Sequence, residues 1–364
     1  MTTRPAIGAS GAGCTPKAMP APPIVVLSGS GGAAVELPET GRELHALSGY
    51  KGVDLRIGGE PLICRVVREL NESGCFARVY VAGPKSVHEG VTFDATLIDV
   101  DGAIGANIQH ALEVVMDDYP NQSVAFITCD ILPSADLLRE VMARYASVSP
   151  CDLFFPLVKV PVEDTALGAS NWKPTYAMLD EDGTTPVTFL PGHLVIGDPG
   201  ALRLRFGYRL LNLAYRTRNR PLNRRGGVLI RGLLFELLIQ DLRHLLTFRA
   251  PTVTFHVITT GIHVMTGLME RTLTRARLER RARKIVVTSI HRRRYPQRRV
   301  DLPLVDGVAL AMDIDTEEEA RFFGFDGPVV DISIGGHNAD VVTSTGANHD
   351  ADAQARARDE RNLP

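Results

Sequence analysis

The sequence predicts an α/β fold built on a mostly parallel sheet with helices on both faces. Three observations point there. Short, wholly apolar, β-branched runs such as Ile24-Val-Val-Leu27 alternate with amphipathic helical stretches. The interval between successive strands leaves room for a crossover helix. Apolar content of 45% over 364 residues is enough for a large core.

In chain order, Ile24–Leu27 is the first strand, and the glycine-rich run from Ser28 to Gly32 turns the chain after it. Residues 61–70 read as a helix. Leu62, Ile63, Val66, Val67 and Leu70 share one face, Pro61 suits its first turn, and Gly74 suits its end. Residues 78–84 and 95–100 are the next two strands. Residues 104–118 are helical, with Ile104, Ile108, Ala111, Leu112 and Val115 in one stripe. The strand 124–130 ends on Asp130. Helix 134–145 follows with Ser134 as its cap, and 152–160 is a further strand. Next, 176–198 reads as β-structure with a turn at Asp182-Gly183. Residues 201–216 and 228–246 are apolar helices studded with arginine. The β-branched runs 251–258 (PTVTFHVI) and 284–290 (KIVVTSI) read as strands. Residues 302–315 lead to a closing helix from Thr316. No internal repeat is visible.

Composition excludes several classes. No stretch approaches the roughly 18–20 apolar residues of a membrane span. Residues 1–22 are rich in Ala, Gly, Pro and Thr and lack an apolar signal region, so a disordered leader is expected there. The five cysteines (14, 64, 75, 129 and 151) show no CxxC spacing. That argues against a disulfide framework or a zinc site and for a cytoplasmic protein. The net charge of −2 hides an asymmetry. From Arg203 to Arg299 there are 22 Arg and one Lys against four acids, a net of about +19. This basic region is expected either to face the acidic half of the chain or to meet an anionic surface. Apolar helices with arginine-rich faces suit a peripheral contact with an anionic membrane. Nucleic acid is not expected as a partner, because no recognition motif accompanies the charge.

In open parallel sheets, ligands bind beyond the carboxyl ends of the strands. That rule favours the turn from Ser28 to Gly32 and Asp130. Glycines there let backbone N–H groups approach a phosphate, although a plain tight turn explains them equally well. The loop is not a P-loop, since GxxxxGK[ST] is absent. Asp99-Val-Asp101 has the spacing of a metal-binding Asp-x-Asp, or of a polar strand end. Asp313-Ile-Asp315 stands where it could cap the helix from Thr316. His193 is either a polar contact to substrate or a loop histidine.

Several segments in order resemble the NTP transferases of the molybdenum-cofactor guanylyltransferase-like type. These are VVLSGSGG with Lys51 and IGGEPLICRVVREL, then RVYVAGP, DGAIGANIQHALE, FITCDILPSADLL and AMDIDTEEEARFF. The resemblance covers residues 22–160 and 300–323. It implies a three-layer α/β/α sheet of the nucleotide-diphospho-sugar transferase, glycosyltransferase-A-like type. It divides the chain into a nucleotidyltransferase domain over 23–335 and a disordered polar tail over 336–364. Within the domain, 23–160 would be the nucleotide-binding half, 161–300 a basic acceptor side, and 301–335 the return that completes a metal site.

The resemblance also implies roles. Asp130, with Asp313 or Asp315, would hold Mg²⁺, a hard cation that takes carboxylate and phosphate oxygens. Lys51 would offset triphosphate charge, so Lys51 and Asp130 are the expected catalytic pair. Leu27, Ser28, Gly29, Gly31, Gly32, Arg42 and Asn107 would contact the nucleotide. The reaction would carry an NMP group from an NTP to a phosphorylated small molecule and release pyrophosphate. The chain departs from the pattern in two places. Ala33, Ala34 and Val35 follow the glycines where an arginine is usual, leaving Arg42 as the nearest. Glu60 stands where a cation usually precedes the proline, and each such phosphate contact is worth about 1.5–3 kcal/mol. Two other readings therefore stay open: a sugar-nucleotide glycosyltransferase using Asp99 and Asp101, and a non-catalytic member that binds nucleotide, anionic lipid or a partner. Oligomeric state is not legible.

Overall fold

The computed structural model describes residues 20–29, 45–161, 167–170, 173–180, 182–216, 237–239, 241–242, 245–246 and 253–325. The expected leader (save residues 20–22), Gly31, Gly32, Arg42 and the tail 336–364 lie outside them. So does most of the helix expected over 228–246, although the residues described within it are helical.

The short strands β2 (Arg56–Ile57) and β3 (Glu60–Pro61) form a two-stranded ribbon of their own, and the principal sheet has seven strands. They are β1 (Ile24–Leu27), β4 (Val79–Gly83), β5 (Thr96–Asp99), β6 (Val124–Thr128), β7 (Leu153–Phe154), β11 (Leu194–Gly197) and β12 (Val300–Asp301). Their order is β12-β7-β11-β6-β1-β4-β5. All run parallel except β11, which is antiparallel to both β6 and β7. The predicted α/β/α layering is present. Successive side chains of a strand point to opposite faces. On β1, Ile24 and Val26 join the core under helices α2 (Leu62–Ser73) and α5 (Ala135–Val148). Val25 joins the core under α4 (Ile104–Asp118) on the other face. β4 and β6 divide in the same way, with Val81 and Ile127 on the first face and Tyr80 and Phe126 on the second. Burying such a side chain contributes about 1.5–3 kcal/mol relative to exposure, which is why these strands are apolar throughout.

The helix ends follow local chemistry. Gly74 closes α2 with φ +65°, a conformation that costs glycine little. Ser134 caps α5 by accepting from the Leu137 N–H at 3.3 Å. α4 in turn supports α6 (Leu204–Arg216), whose Tyr208 and Leu204 pack on the second core.

A second sheet of order β13-β8-β10-β9 stands beside the first. It contains β8 (Leu157–Lys159), β9 (Tyr176–Leu179), β10 (Pro186–Pro191) and β13 (Leu304–Val305). The strand expected over 152–160 is therefore two strands. The chain leaves the first sheet after β7 and enters the second at Pro156, which has no N–H to donate to a ladder.

Two expected strands are helices. Residues 253–258 belong to a helix Val253–Met269, with 251–252 outside the described residues. Residues 284–286 end the helix Arg275–Val286, and 289–290 begin Ser289–Arg294. Apolar β-branched runs have no periodicity that separates a short strand from a helix apolar on every side. For 284–290 the good helix formers upstream, Ala276, Leu278, Glu279 and Arg280–Arg283, carry the helix into Val286. Among the described residues no helix is long and apolar enough to cross a membrane.

Candidate active site

The carboxyl edge of the main sheet gathers the residues singled out in the sequence. β1 ends at Leu27 and delivers Ser28 and Gly29, and β6 ends at Thr128 and delivers Cys129 and Asp130. Asn107, in the first turn of α4, lies so close to Gly29 that a Cβ added there would sit 2.9 Å from its Nδ2. The Asn107 Oδ1 is buried with no hydrogen-bond partner. Lys51 opens the short helix α1 (Lys51–Asp54). Leu27, Gly29, Lys51, Asn107 and Asp130 line one cavity of about 1030 Å³.

Ser28 turns inward instead. Its Oγ lies 3.0 Å from His88 Nε2, and His88 Nδ1 lies 2.8 Å from the Pro84 carbonyl. A carbonyl only accepts, so Nδ1 carries the proton and the Ser28 hydroxyl donates to Nε2. The serine thus ties the end of β1 to the short helix α3 (Lys85–His88) that follows β4. Gly83 permits this closeness, since a Cβ there would lie 2.6 Å from the Ser28 carbonyl oxygen.

The far end of the chain completes the edge. Ile314 N–H donates to the Asp130 carbonyl at 2.9 Å, and Leu47 N–H donates to the Asp315 carbonyl at 2.8 Å. The segment is held extended, so Ile314 enters the core while Asp313 and Asp315 emerge on the opposite side. Ligand atoms of Asp130, Asp313 and Asp315 all lie within 4.8 Å of one another. Neither Asp313 nor Asp315 is the cap of the closing helix Glu317–Phe322. Thr316 caps it, in a reciprocal box with Glu319.

Two ammonium groups stand against this acidic cluster. Lys51 Nζ is 2.5 Å from Asp315 Oδ1 and 3.6 Å from Asp130 Oδ2. Lys173 Nζ is 2.6 Å from Asp313 Oδ1 and 3.1 Å from Glu319 Oε1. Glu319 also accepts from Ser170 Oγ and, at 2.7 Å, from the Asp315 N–H. Burial alone would push the Asp130 carboxyl up, yet Lys51 and His193 hold it below the usual carboxylate range. Burial is likewise outweighed at Asp313, which Lys173 and His193 hold well below that range. The lysines respond in kind. Burial opposes their charge, but the facing acids raise both ammonium groups above the ordinary lysine value. Burial pushes the Cys129 thiol up to about 12, so it stays a neutral filler beside Asp130.

His193 reaches the site by topology. β11 is antiparallel, so its beginning lies beside the end of β6. His193 Nδ1 is 3.0 Å from Thr128 Oγ1, and its Nε2 is 3.7 Å from Asp313 Oδ1. Lys173 and Glu319 were not foreseen. Lys173 sits in an irregular stretch with no motif, and Glu319 reads as an ordinary third residue of a helix. The capping-box pattern Thr316-x-x-Glu319 was the available signal.

The Asp-x-Asp pair lies at the end of β5 on the same edge, and Asp101 lines the same cavity. Asp99 accepts from the Lys85 N–H at 2.8 Å, and Asp101 from the Tyr50 hydroxyl at 3.3 Å. Neither joins an acidic group that could hold a metal among the described residues. Glu60 pairs with Arg68 on the surface. Part of the basic region faces the acidic half. Arg283 Nε lies 2.7 Å from the fully buried Asp152, and Arg298 pairs with Asp198. Away from the acids, the cavity wall is apolar, formed by Ile104, Phe155, Val195, Leu202, Leu204 and Phe206.

No family model matches the chain, and no curated protein matches it. Several solved structures are similar. One is a hypothetical transferase from Thermus thermophilus, with 23% identity, coverage of 82% of this chain and 99% of that one, and a TM-score of 0.48. Another is 4-diphosphocytidyl-2C-methyl-D-erythritol synthase from Anaerococcus prevotii, with 10% identity, 83% and 95% coverage, and a TM-score of 0.37. A third is CMP:2-keto-3-deoxy-manno-octonic acid synthetase complexed with CTP, with 13% identity, 49% and 74% coverage, and a TM-score of 0.34. All three are distant likenesses of fold.

Proposed function

We propose that this protein is a nucleotidyltransferase, moving an NMP group from an NTP to a phosphorylated small molecule. The observation that carries the reading is the meeting of Asp130, Asp313 and Asp315 with Lys51 in a cavity that also holds Gly29 and Asn107. An acceptor oxygen forms a bond to the α-phosphorus while the bond from that phosphorus to the bridging oxygen breaks, and pyrophosphate carries the electron pair away.

The site fits a divalent cation. Its donors are hard carboxylate oxygens, and Asp130 Oδ1 is buried with no hydrogen-bond partner. Four carboxylates, counting Glu319, face two ammonium groups, a formal excess of two negative charges. Asp130 and Asp313 would hold Mg²⁺. Bound there, the ion would offset negative charge that builds during transfer. The protein's own groups do the rest. Asp315, bonded to Lys51, aims its ammonium at the cavity, where it meets triphosphate charge. The Gly29 backbone lets phosphate approach, and the Asn107 Oδ1 is available to accept from a ribose hydroxyl or a base amino group. The resemblance to the molybdenum-cofactor guanylyltransferase type belongs to this proposal and leaves the base to experiment.

Thermal shift with each of the four NTPs, with and without Mg²⁺, tests it. Wild type should gain stability with at least one NTP only when Mg²⁺ is present. Asp130→Asn and Asp313→Asn should lose that gain. Stabilisation by UDP-sugars alone, dependent on Asp101, would assign the glycosyltransferase reading instead. Indifference to every nucleotide would leave a non-catalytic protein.

A further inference from the structure

The helix Val253–Met269 contains no Asp, Glu, Lys or Arg, and among its described residues only Gly267 is buried. A helix apolar on every side normally lies inside a core or a membrane. This one leaves Phe255 (66% exposed), Ile262 (47%) and Met269 (62%) at seven-residue intervals, which places them in a single stripe. The described residues just before it show a similar exposure. Leu238, Leu242, Leu245 and Leu246 are helical and all more than half exposed. Of the eleven large apolar side chains exposed among the described residues, seven lie between 238 and 269. Scattered single exposures are ordinary, but a concentration of this kind marks an interaction surface.

The polar side chains of the same helix point to the nature of the partner. Thr259 Oγ1 donates to the Phe255 carbonyl at 2.7 Å, and Thr266 Oγ1 donates to the Ile262 carbonyl at 3.0 Å. His263 Nδ1 donates to the Thr259 carbonyl at 2.7 Å. Each folds its donor back onto the helix, which limits the cost of leaving water. The neighbouring helices supply the charge. Arg271, Arg277, Arg280, Lys284, Arg293 and Arg294 are exposed next in the chain, and the helix Arg275–Val286 packs on Val253–Met269.

We infer that this region docks the protein on an anionic bilayer, with the apolar stripe of Val253–Met269 and the exposed leucines before it entering the acyl boundary and the arginine-rich helices lying against the headgroups. A second copy of the chain is the weaker fit. Pairing this face with itself would bring two arginine-rich regions together, whereas anionic headgroups relieve that repulsion. Among the described residues no helix is long and apolar enough to span a bilayer, so these helices would lie on its surface. This inference does not depend on the chemistry proposed for the acidic site.

Co-sedimentation with vesicles tests it, comparing phosphatidylcholine alone with phosphatidylcholine mixed with phosphatidylglycerol. The protein should bind the anionic vesicles, and salt should weaken the binding. Phe255→Glu with Met269→Glu should lower the affinity at least about tenfold, because it removes two apolar contacts and adds like charge to that of the membrane. Those positions are exposed, so an unchanged melting curve will show that the variant folds. Arg277→Glu with Arg280→Glu should lower the preference for anionic vesicles through charge alone. The inference is overturned if wild type ignores the phosphatidylglycerol content, or if the Phe255/Met269 variant binds as wild type does. It is equally overturned if wild type forms a dimer by light scattering that the Phe255/Met269 variant dissolves, with no vesicle binding.

Discussion

The two halves of the chain dispose of their apolar side chains in opposite ways. In the sheet half, Ile24, Val25, Val26, Ile127 and Leu194 are wholly enclosed, and each face of β1 is covered by a helix layer. In the helix Val253–Met269, side chains of similar character face outward. The first half is complete in itself, and its polar groups gather at one edge. The second packs one side on the smaller core, through Leu268, Leu278 and Val286, and spreads other apolar and basic groups over exposed helix surfaces.

Four substitutions break or sharpen that contrast, from the largest expected effect to the smallest. Glu319→Ala should lower unfolding free energy by about 3–5 kcal/mol in denaturant titration, because it leaves Lys173 buried with less compensation. A loss below 1 kcal/mol would mean that the acidic edge is not held by this network. Ile127→Ala should cost about 2–5 kcal/mol by the same measurement, through lost burial and the cavity left behind. Asp152→Ala cuts a tie between the halves. It removes the carboxylate facing Arg283 and His291, and should cost about 2–3 kcal/mol. Amide hydrogen exchange should then quicken across 275–294 while β1 and β6 stay protected, which would show the helices loosening on their own. Phe255→Ser should change stability in solution by less than about 0.5 kcal/mol, as befits an exposed side chain. A large loss there would mean that the face is covered by the chain itself.

The same contrast explains what could be read in advance. Apolar β-branched runs are informative where a sheet buries them on both faces, so 24–27, 78–84 and 124–130 were legible as strands. The run 253–258 is also rich in β-branched residues but lies in the helix Val253–Met269, and composition alone carries no sign of that. At the acidic edge, Asp130 was visible because a carboxylate ending a buried run is unusual, whereas Asp313 and Asp315 were visible through the family resemblance of the segment that carries them. Lys173 and Glu319 were hidden, because their meaning lies in contacts 140 and 149 residues away in the chain. His193 was legible only as one of two alternatives, a substrate contact or a loop histidine. It precedes its strand, and only the antiparallel course of β11 turns that position toward the ligand edge.

The return of residues 313–316 between Asp130 and Leu47 has a consequence for synthesis. Lys51 waits for a partner 264 residues downstream. At a ribosomal pace of about 5–20 residues per second, that is a delay of tens of seconds. During it, much of the sheet can fold around an ammonium still hydrated where Asp315 will later stand. The acidic edge is thus the last place to be assembled, and a chain released before Asp315 would keep much of its sheet yet carry no finished pocket.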